Sequence, residues 1–401
     1  MSKNELTPPR DLLPMDNSNT ITWQQDFYDI ADPYVNKDGR KEEADAYIGM
    51  LTAKALDYYG VSSPYELISR KRKSTIDRDN PATKQMCDDI DRFGDWLDIV
   101  PTALALENLT NPDDPPSDGI PKTDPMKFIT YNCEDAIGLR SRIEIASRVM
   151  QGEIIRVANE DRDPNVLSLA SGVSRAVIEL AARNRRENGI DTSLSLVDID
   201  PRPLDMARQL AKVNNQNLKI FRRNIVDLDG FMKFHWLSKA ALAMAGSDLI
   251  HGHLPNVKTM KPESYDVVDI LGFFEYLQNV ETWPFSYNGV FGNRKQMIQA
   301  GAPLFMAMAW DMVAPGGVLL FGNMNKSDPH ANDPNIPRNQ LGFAMGVIQW
   351  PHIQPRNQGE IGSIVSNAVS LGLMDPKTIE VPTAHIPRDG IYNDYTLRKI
   401  M

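Results

Sequence analysis

The sequence predicts an α/β protein with a mainly parallel sheet and a nucleotide-binding edge. The first observation is the segment from Asn165 to Asp198, which reads as a buried strand, a loop of small residues, a helix and a second buried strand. The second observation is that further apolar strand-like segments alternate with helical ones over the rest of the chain. Strands that alternate with helices build βαβ units, in which neighbouring strands run parallel. The 401 residues exceed what one such unit needs, so an additional N-terminal region is expected.

The first strand and its loop follow from residue size. Val166, Leu167 and Leu169 form an apolar run that is typical of a strand buried on both faces. The loop that follows keeps its side chains small at four positions, which are Ala170, Ser171, Gly172 and Ser174. Small residues let the backbone turn sharply and let a ligand approach it closely. The next helix begins at this loop and points its amide groups toward that ligand.

The second strand ends at a carboxylate. Its apolar run is Leu194, Leu196 and Val197, and Asp198 follows directly. A carboxylate at this place can accept hydrogen bonds from both hydroxyl groups of a ribose. Asp200 is expected to cap the next helix, with Pro201 at its first position.

At these residues the chain resembles the class I S-adenosylmethionine-dependent methyltransferases. The first motif of that family is a strand that ends in an acidic residue, followed by a Gly-x-Gly-x-Gly loop. The matching positions here are Ser168, Ala170, Gly172 and Ser174, so the central glycine is retained and the acidic residue is absent. The second motif matches closely through Leu196 to Arg208.

Later segments follow in the order that the resemblance implies. Lys219 to Leu228 is similar to the third strand and its loop, where Asn224 takes the place of an Asp that bonds the adenine amino group. Tyr265 to Leu277 is similar to the fourth strand and the loop that faces the methyl donor. Val313 to Met324 contains the Pro-Gly-Gly turn and the fifth strand. Thr378 to Val381 and Tyr392 to Leu397 are expected to form a closing antiparallel pair.

The resemblance implies a Rossmann-like class I methyltransferase fold, with a mainly parallel seven-stranded sheet and helices on both faces. We predict that residues 126–401 form this S-adenosylmethionine-binding domain and that residues 1–125 form an N-terminal helical region. Asn111 to Pro125 is rich in turn formers and marks the boundary. Within the N-terminal region, helical spacing of apolar residues is present in Glu42 to Tyr59, Pro64 to Arg72 and Ala82 to Leu106.

The implied cofactor is S-adenosyl-L-methionine. The residues expected to bind it are Ala170, Ser171, Gly172, Asp198, Ile199, Asn224, Ile225, Leu271 and Arg140. Arg140 and its neighbour Arg142 lie on a predicted helix, Glu134 to Gln151, and either could bind the donor's carboxylate. A dinucleotide dehydrogenase also places an acid after its second strand, but its third glycine falls on Arg175 here, so the methyl donor is favoured.

Methyl transfer needs an aligned nucleophile that is easily deprotonated. The candidates are His330 and His352, which follow the fifth strand, and Glu275, which follows the fourth. Glu275 could orient the nucleophile or simply begin a helix. The predicted loop from Gln278 to Gly301 carries aromatic residues that could shape a substrate pocket.

The acceptor is expected to be a small or lipid-like molecule that is methylated on oxygen or nitrogen. Methyltransferases of planar amide nitrogens carry an Asn-Pro-Pro-Tyr type motif where this chain has Leu271 to Phe274. Two alternatives remain open: a non-catalytic cofactor-binding or regulatory protein, and another transferase that uses S-adenosylmethionine. The absent motif acid favours the first of these, whereas Asp198 favours an enzyme.

Composition narrows the partners and the compartment. The formal net charge of −10 argues against nucleic acid as the main partner, because phosphate binding needs a concentrated positive field. Cys87 and Cys133 are far apart, which indicates neither a disulfide framework nor a metal site. The N-terminus lacks the apolar core of a signal peptide and no apolar run is long enough for membrane insertion, so a cytoplasmic location is predicted.

Overall fold

A computed structural model gives the structure of the chain. It describes residues 21–69, 76–100, 102–114, 122–223, 225, 263–277, 282–288, 294–326, 342–350 and 353–400.

One mixed sheet forms the centre of the structure. Its eight strands are β1 (Gln24–Tyr28), β2 (Asn165–Leu169), β3 (Ser193–Asp198), β4 (Leu218–Arg222), β5 (Tyr265–Ile270), β8 (Val313–Met324), β9 (Thr383–Pro387) and β10 (Tyr392–Arg398). A separate antiparallel hairpin consists of β6 (Thr282–Asn288) and β7 (Arg294–Ala300). The described residues of the segment predicted as an aromatic loop thus form two strands.

The strand order in the sheet is β1-β9-β10-β8-β5-β2-β3-β4. β2, β3, β4, β5 and β8 pair in parallel, whereas β10 is antiparallel to both of its neighbours. The chain builds outward from β2 to β4 and then crosses back to place β5 on the other side of β2. Five parallel strands with a closing antiparallel pair make up the predicted class I methyltransferase fold. The crossing between β2 and β5 is the switch point at which such sheets bind ligands.

Two strands differ from the expectation. The prediction of seven strands was wrong, because β1 adds an eighth by pairing in parallel with β9 at the sheet edge. The closing strand expected at Thr378 to Val381 lies further along the chain, at β9. Asp375 caps a 3₁₀ turn over Pro376–Thr378 by accepting a hydrogen bond from the Lys377 amide, and the segment after it makes only an isolated antiparallel bridge between Ile379 and Lys399.

Helices cover both faces of the sheet. Their bounds are α1 (Lys41–Tyr59), α2 (Pro64–Ser69), α3 (Pro81–Asp89), α4 (Phe93–Ile99), α5 (Ala103–Thr110), α6 (Asp124–Asn132), α7 (Glu134–Ala158), α8 (Arg175–Asn188), α9 (Pro201–Val213), α10 (Ala302–Met312) and α11 (Gln358–Ser370). One core joins the sheet to α10 and α11, and another joins its opposite face to α7, α8 and α9. The segment predicted as helical from Ala82 to Leu106 forms α3, α4 and the start of α5, separated by turns.

The N-terminal helices share a third core with the C-terminal half of the chain. Residues of α1 to α6 pack against the first turns of α7, against residues of the segment 343–350, and against Ile353 and Tyr392. Hydrogen bonds reinforce this packing: the Asn80 side chain donates to the Gly346 carbonyl at 2.8 Å, and the Thr83 hydroxyl donates to the Val347 carbonyl at 2.7 Å. The region N-terminal to the predicted boundary is therefore packed into the same body as the sheet.

The two glycines of α7 provide a matched test of this packing. A Cβ at Gly138 would lie 2.4 Å from Ile391 Cγ2, whereas a Cβ at Gly152 meets nothing within 4 Å. We expect Gly138→Ala to lower the free energy of unfolding by about 1–3 kcal/mol through overpacking. Gly152→Ala should raise it by about 0.5–1 kcal/mol, because alanine favours the helix. Urea unfolding of both variants measures this, and equal effects would contradict the close approach of α7 to Ile391.

Candidate functional site

A cleft of about 870 Å³ opens at the carboxyl ends of the parallel strands, at the switch point between β2 and β5. Its floor comes from the loops that follow β2, β3, β4 and β5. Its walls and roof come from α5, α7 and the segment Asp29 to Tyr34. The volume lies within the range of about 300–1,000 Å³ that is typical of small-molecule sites.

Asp198 lies in the cleft at the end of β3, as the sequence predicted for that strand. Its carboxylate accepts hydrogen bonds from the Gly172 amide at 2.8 Å and the Asp200 amide at 2.9 Å. Burial raises the pKa of this carboxyl above its ordinary value, which the two amide hydrogen bonds partly offset. Each oxygen retains a lone pair for a further donor. Asp200 caps α9 through the Arg202 amide, with Pro201 at the first position, as predicted.

The loop after β2 has an unusual backbone. Ala170, Gly172 and Ser174 have φ of 50°, 53° and 49°, in the left-handed region that costs a non-glycine residue about 1–2 kcal/mol. A Cβ at Gly172 would lie 2.7 Å from Ala103 Cβ at the start of α5. Only glycine fits this position, because a side chain would clash with α5. Ala170, Ser171 and Gly172, which the sequence predicts to bind the cofactor, all line the cleft.

Ion pairs hold the roof helix in place. The Arg175 guanidinium bonds the Glu107 carboxylate at 2.5 Å and lies 3.1 Å from Asp114. Arg175 occupies the position at which a dinucleotide-binding loop would need its third glycine. In this chain the same position attaches α8 to α5 across the cleft.

Arg140, the arginine that we favoured for the donor's carboxylate, is buried and bonded to protein acceptors. Its Nε donates to Asp32 at 2.7 Å, and its remaining nitrogens donate to the carbonyls of Leu109, Thr130 and Tyr131. These bonds join α5, α6 and the segment around Asp32. Arg140 lines the cleft, and its guanidinium also holds these elements together.

The adenine side of the expected site is apolar. Ile199 and Ile225 line the cleft beyond Asp198, and Ile225 is 4% exposed. Leu271 lines the opposite side, after β5. Asn224, expected to bond the adenine amino group, lies outside the described residues.

Arg142 and Glu275 form an ion pair beneath the cleft. Arg142 Nη1 lies 3.1 Å and 3.3 Å from the two Glu275 oxygens, and both side chains are at least 96% buried. The guanidinium also lies 4.4 Å from the centre of the Tyr392 ring. Glu275 is absent from the residues that line the cleft, whereas Arg142 is among them. Glu275 therefore positions Arg142, and its location does not support direct contact with an acceptor.

The neighbouring acids are protonated more readily than usual. Asp135 accepts a hydrogen bond from the Tyr392 hydroxyl at 2.7 Å, and burial raises its pKa to about 6. Asp394 is fully buried on β10, and burial raises its pKa well above the ordinary value. Removing carboxylates from water favours their neutral form, which is why burial raises the pKa of each of these acids.

Asp269 is a cleft residue that sequence reasoning missed. It lies on β5 directly opposite Ser168 of β2, and its side chain is 2% exposed. Burial raises the pKa of its carboxyl to about 6, with the Ser168 hydroxyl and the Leu271 amide lowering it in part. The signal in the sequence was an acid inside the otherwise apolar run Val267 to Ile270, which a buried strand rarely carries.

The predicted catalytic histidines, His330 and His352, lie outside the described residues. His385 is described, on β9, where its ring nitrogens contact the Tyr28 and Thr396 hydroxyls at 3.0 Å. Burial lowers its pKa to about 4, so it is neutral at physiological pH. It lines a smaller cavity at the opposite edge of the sheet.

Within the described ranges, no group of three or more His, Cys, Asp or Glu side chains has a metal-binding arrangement. In the same part of the chain, no helix combines the length and apolar character that crossing a membrane requires.

No protein-family model and no curated protein matches the sequence. Among solved structures, the chain is similar to a possible exported protein from Bordetella parapertussis, with 14% identity and a TM-score of 0.49 over 89% of this chain and 97% of that one. It is also similar to the CurJ carbon methyltransferase, with 10% identity and a TM-score of 0.44 over 91% and 93% of the chains. An O-methyltransferase family protein from Burkholderia thailandensis has 14% identity and a TM-score of 0.38 over 91% and 96%.

The buried charge on Asp269 gives a pH-dependent prediction for the ligand-free protein. Its folded-state pKa of about 6 lies above the ordinary value of 3.8, so the folded state binds the proton more tightly. That contribution to stability is complete below the unfolded pKa and is lost as pH rises through 6. We therefore expect the free energy of unfolding of Asp269→Asn, relative to that of the parent, to rise by on the order of 2–3 kcal/mol from pH 4 to pH 7.5.

Urea unfolding at the two pH values measures this gain. Asp266→Asn is the matched control on the same strand, because Asp266 accepts bonds from the Asn165 amide and from Arg162, both at 2.9 Å. Its loss should destabilise the protein at pH 7.5, where the carboxylate is needed for both bonds. A difference between Asp269→Asn and the parent that is independent of pH would contradict the burial of this charge.

Proposed function

We propose that the protein is an S-adenosylmethionine-dependent methyltransferase that methylates oxygen or nitrogen of a small-molecule or lipid-like acceptor. The observation that carries the proposal is the Asp198 carboxylate. It lies at the end of β3, next to the left-handed loop after β2, inside the cleft at the switch point. A ligand with a ribose fits this position, because the carboxylate can accept from both hydroxyls.

The residues around Asp198 fit an adenosine. Ile199 and Ile225 supply the apolar surfaces on which a purine packs. The proposed partner of the adenine amino group is Asn224, through its side-chain oxygen. The backbone of Ala170 to Gly172 lies close to the ribose position, because the Gly172 amide already donates to Asp198.

A methyl donor fits the loop better than a dinucleotide does. A pyrophosphate would need the third glycine of its fingerprint, and Arg175 stands there with its guanidinium committed to Glu107. S-adenosylmethionine carries no phosphate, so it does not need this close helix approach. When bound, it supplies an electrophilic methyl group on a sulfonium.

The chain's own contribution is to orient the two reactants and exclude water. The roof formed by α5 and the segment Asp29 to Tyr34 covers the cleft, held by the Arg175–Glu107 and Arg140–Asp32 pairs. Positioning of this kind accounts for much of the acceleration of a displacement reaction. His330 and His352 are the proposed proton acceptors for the acceptor's hydroxyl or amine.

Two measurements separate this function from its alternatives. Calorimetry with S-adenosylhomocysteine and with NAD⁺ distinguishes a methyl-donor site from a dinucleotide site. Formation of S-adenosylhomocysteine from S-adenosylmethionine, measured with a panel of small hydroxyl, amine and lipid-like acceptors, distinguishes an enzyme from a cofactor-binding protein. Detection of a transferred aminocarboxypropyl group instead of a methyl group would assign the other transferase reaction.

The proposal predicts the effect of Asp198→Asn. The amide retains one acceptor oxygen but loses the charge, and hydrogen bonds to a charged group contribute about 1.5–3 kcal/mol each. We therefore expect calorimetry to show a dissociation constant for S-adenosylhomocysteine that is 10- to 100-fold larger than that of the parent.

The control is Asp205→Asn, at an exposed position on α9 with its side chain 61% exposed. It removes one negative charge, as Asp198→Asn does. It should leave the affinity for S-adenosylhomocysteine within about twofold of the parent's, since an exposed ion pair contributes little. Unchanged donor affinity in a folded Asp198→Asn variant would refute the ribose assignment.

A further inference from the structure

We propose that Asp269 binds the ammonium group at the amino-acid end of the methyl donor. This inference rests on the proposed function and adds a binding residue to it. In the resemblance described above, an acidic residue ends the first strand, and this chain has Ser168 there. Asp269 supplies a carboxylate from the neighbouring strand instead.

The Asp269 side chain is built for a ligand. It lines the cleft, although only 2% of the residue is exposed. Oδ1 accepts a hydrogen bond from the Leu271 amide at 3.2 Å, and Oδ2 has no hydrogen-bond partner within the described part of the chain. A buried carboxylate oxygen without a partner is costly, and a bound cationic donor removes that cost.

The register of the sheet relates Asp269 to the absent acid. Ser168 and Asp269 are directly paired across the parallel strands β2 and β5. Paired residues in neighbouring strands lie about 4.8 Å apart and point to the same face of the sheet. The Asp269 carboxylate is thus one strand away from the position of Ser168, at the same level along the strands.

The position also suits the direction in which the donor would lie. Asp198 binds the ribose at the end of β3, and β2 separates β3 from β5 in the sheet. Two strand spacings, about 10 Å, therefore lie between the ribose acid and Asp269. The amino-acid arm of the donor leaves the ribose at its 5′ carbon, and placing the adenine against Ile199 and Ile225 directs that arm toward β5.

The charges around Asp269 leave it available to a cation. The nearby Arg142 is paired with Glu275, and Asp394 is the acid whose pKa Asp269 raises. Asp394 is fully buried on β10, where burial raises the pKa of its carboxyl, and it is absent from the residues that line the cleft. Asp269 has no ion pair with a described Lys or Arg side chain.

The test compares two ligands that differ at the amino-acid end. S-adenosylhomocysteine carries the ammonium, whereas 5′-methylthioadenosine has the same nucleoside and thioether but no amino-acid group. Calorimetry on the full chain should show that Asp269→Asn weakens S-adenosylhomocysteine at least tenfold and leaves 5′-methylthioadenosine within about twofold. Asp198→Asn is the contrasting variant and should weaken both ligands.

A third ligand separates the ammonium from the carboxylate. The decarboxylated analogue of S-adenosylhomocysteine retains the amine, so Asp269→Asn should weaken it by a similar factor. Equal affinity of the parent and Asp269→Asn for S-adenosylhomocysteine would overturn the assignment. So would equal weakening of S-adenosylhomocysteine and 5′-methylthioadenosine, since that indicates damage to the nucleoside site.

The failure of this inference is distinguishable from failure of the proposed function. If the parent binds neither S-adenosylhomocysteine nor 5′-methylthioadenosine, both proposals are overturned. If the parent binds both and only the Asp269→Asn comparison fails, the donor site stands and the ammonium partner lies elsewhere. A thermal unfolding midpoint of Asp269→Asn at or above that of the parent at pH 7.5 shows that any loss of affinity is not a loss of folding.

Discussion

The Asp198 carboxylate organises the site because it joins three parts of the fold. It ends β3, accepts from the Gly172 amide in the loop after β2, and accepts from the Asp200 amide at the start of α9. The loop conformation with its left-handed residues depends on that contact. A replacement without an acceptor would therefore disturb the loop as well as the ligand contact, which is why an amide is the informative substitution.

The N-terminal region completes the cleft rather than standing beside the sheet. Ala103 of α5 lies so close to Gly172 that no side chain fits between them. Arg175 and Arg140 join this roof to α8 and to α7. The turn-rich segment between Asn111 and Pro125 remains the predicted boundary in sequence, but the core shared with Tyr392 and the segment 343–350 packs the described residues on the two sides of that boundary together.

The central strands were predictable because their apolar runs are long and end in polar residues. β1 was not, since Gln24 to Tyr28 is a short polar edge strand whose pairing with β9 depends on a contact 359 residues away. Local patterns also could not decide between Arg140 and Arg142. Both lie on α7 and line the cleft, and only the fold shows that Arg140 is bonded to Asp32 and to backbone carbonyls while Arg142 is paired with Glu275. The acid at Asp269 interrupts an apolar run in the sequence, but its place in the cleft opposite Ser168 follows from strand pairing.

A crystal structure of the chain with S-adenosylhomocysteine bound tests the proposed donor site most directly. We expect both ribose hydroxyls within about 3.2 Å of the Asp198 carboxylate, the adenine against Ile199 and Ile225, and the amino-acid arm directed toward β5. A nucleoside bound in the opposite direction, with its ribose next to β5 and away from Asp198, would contradict it.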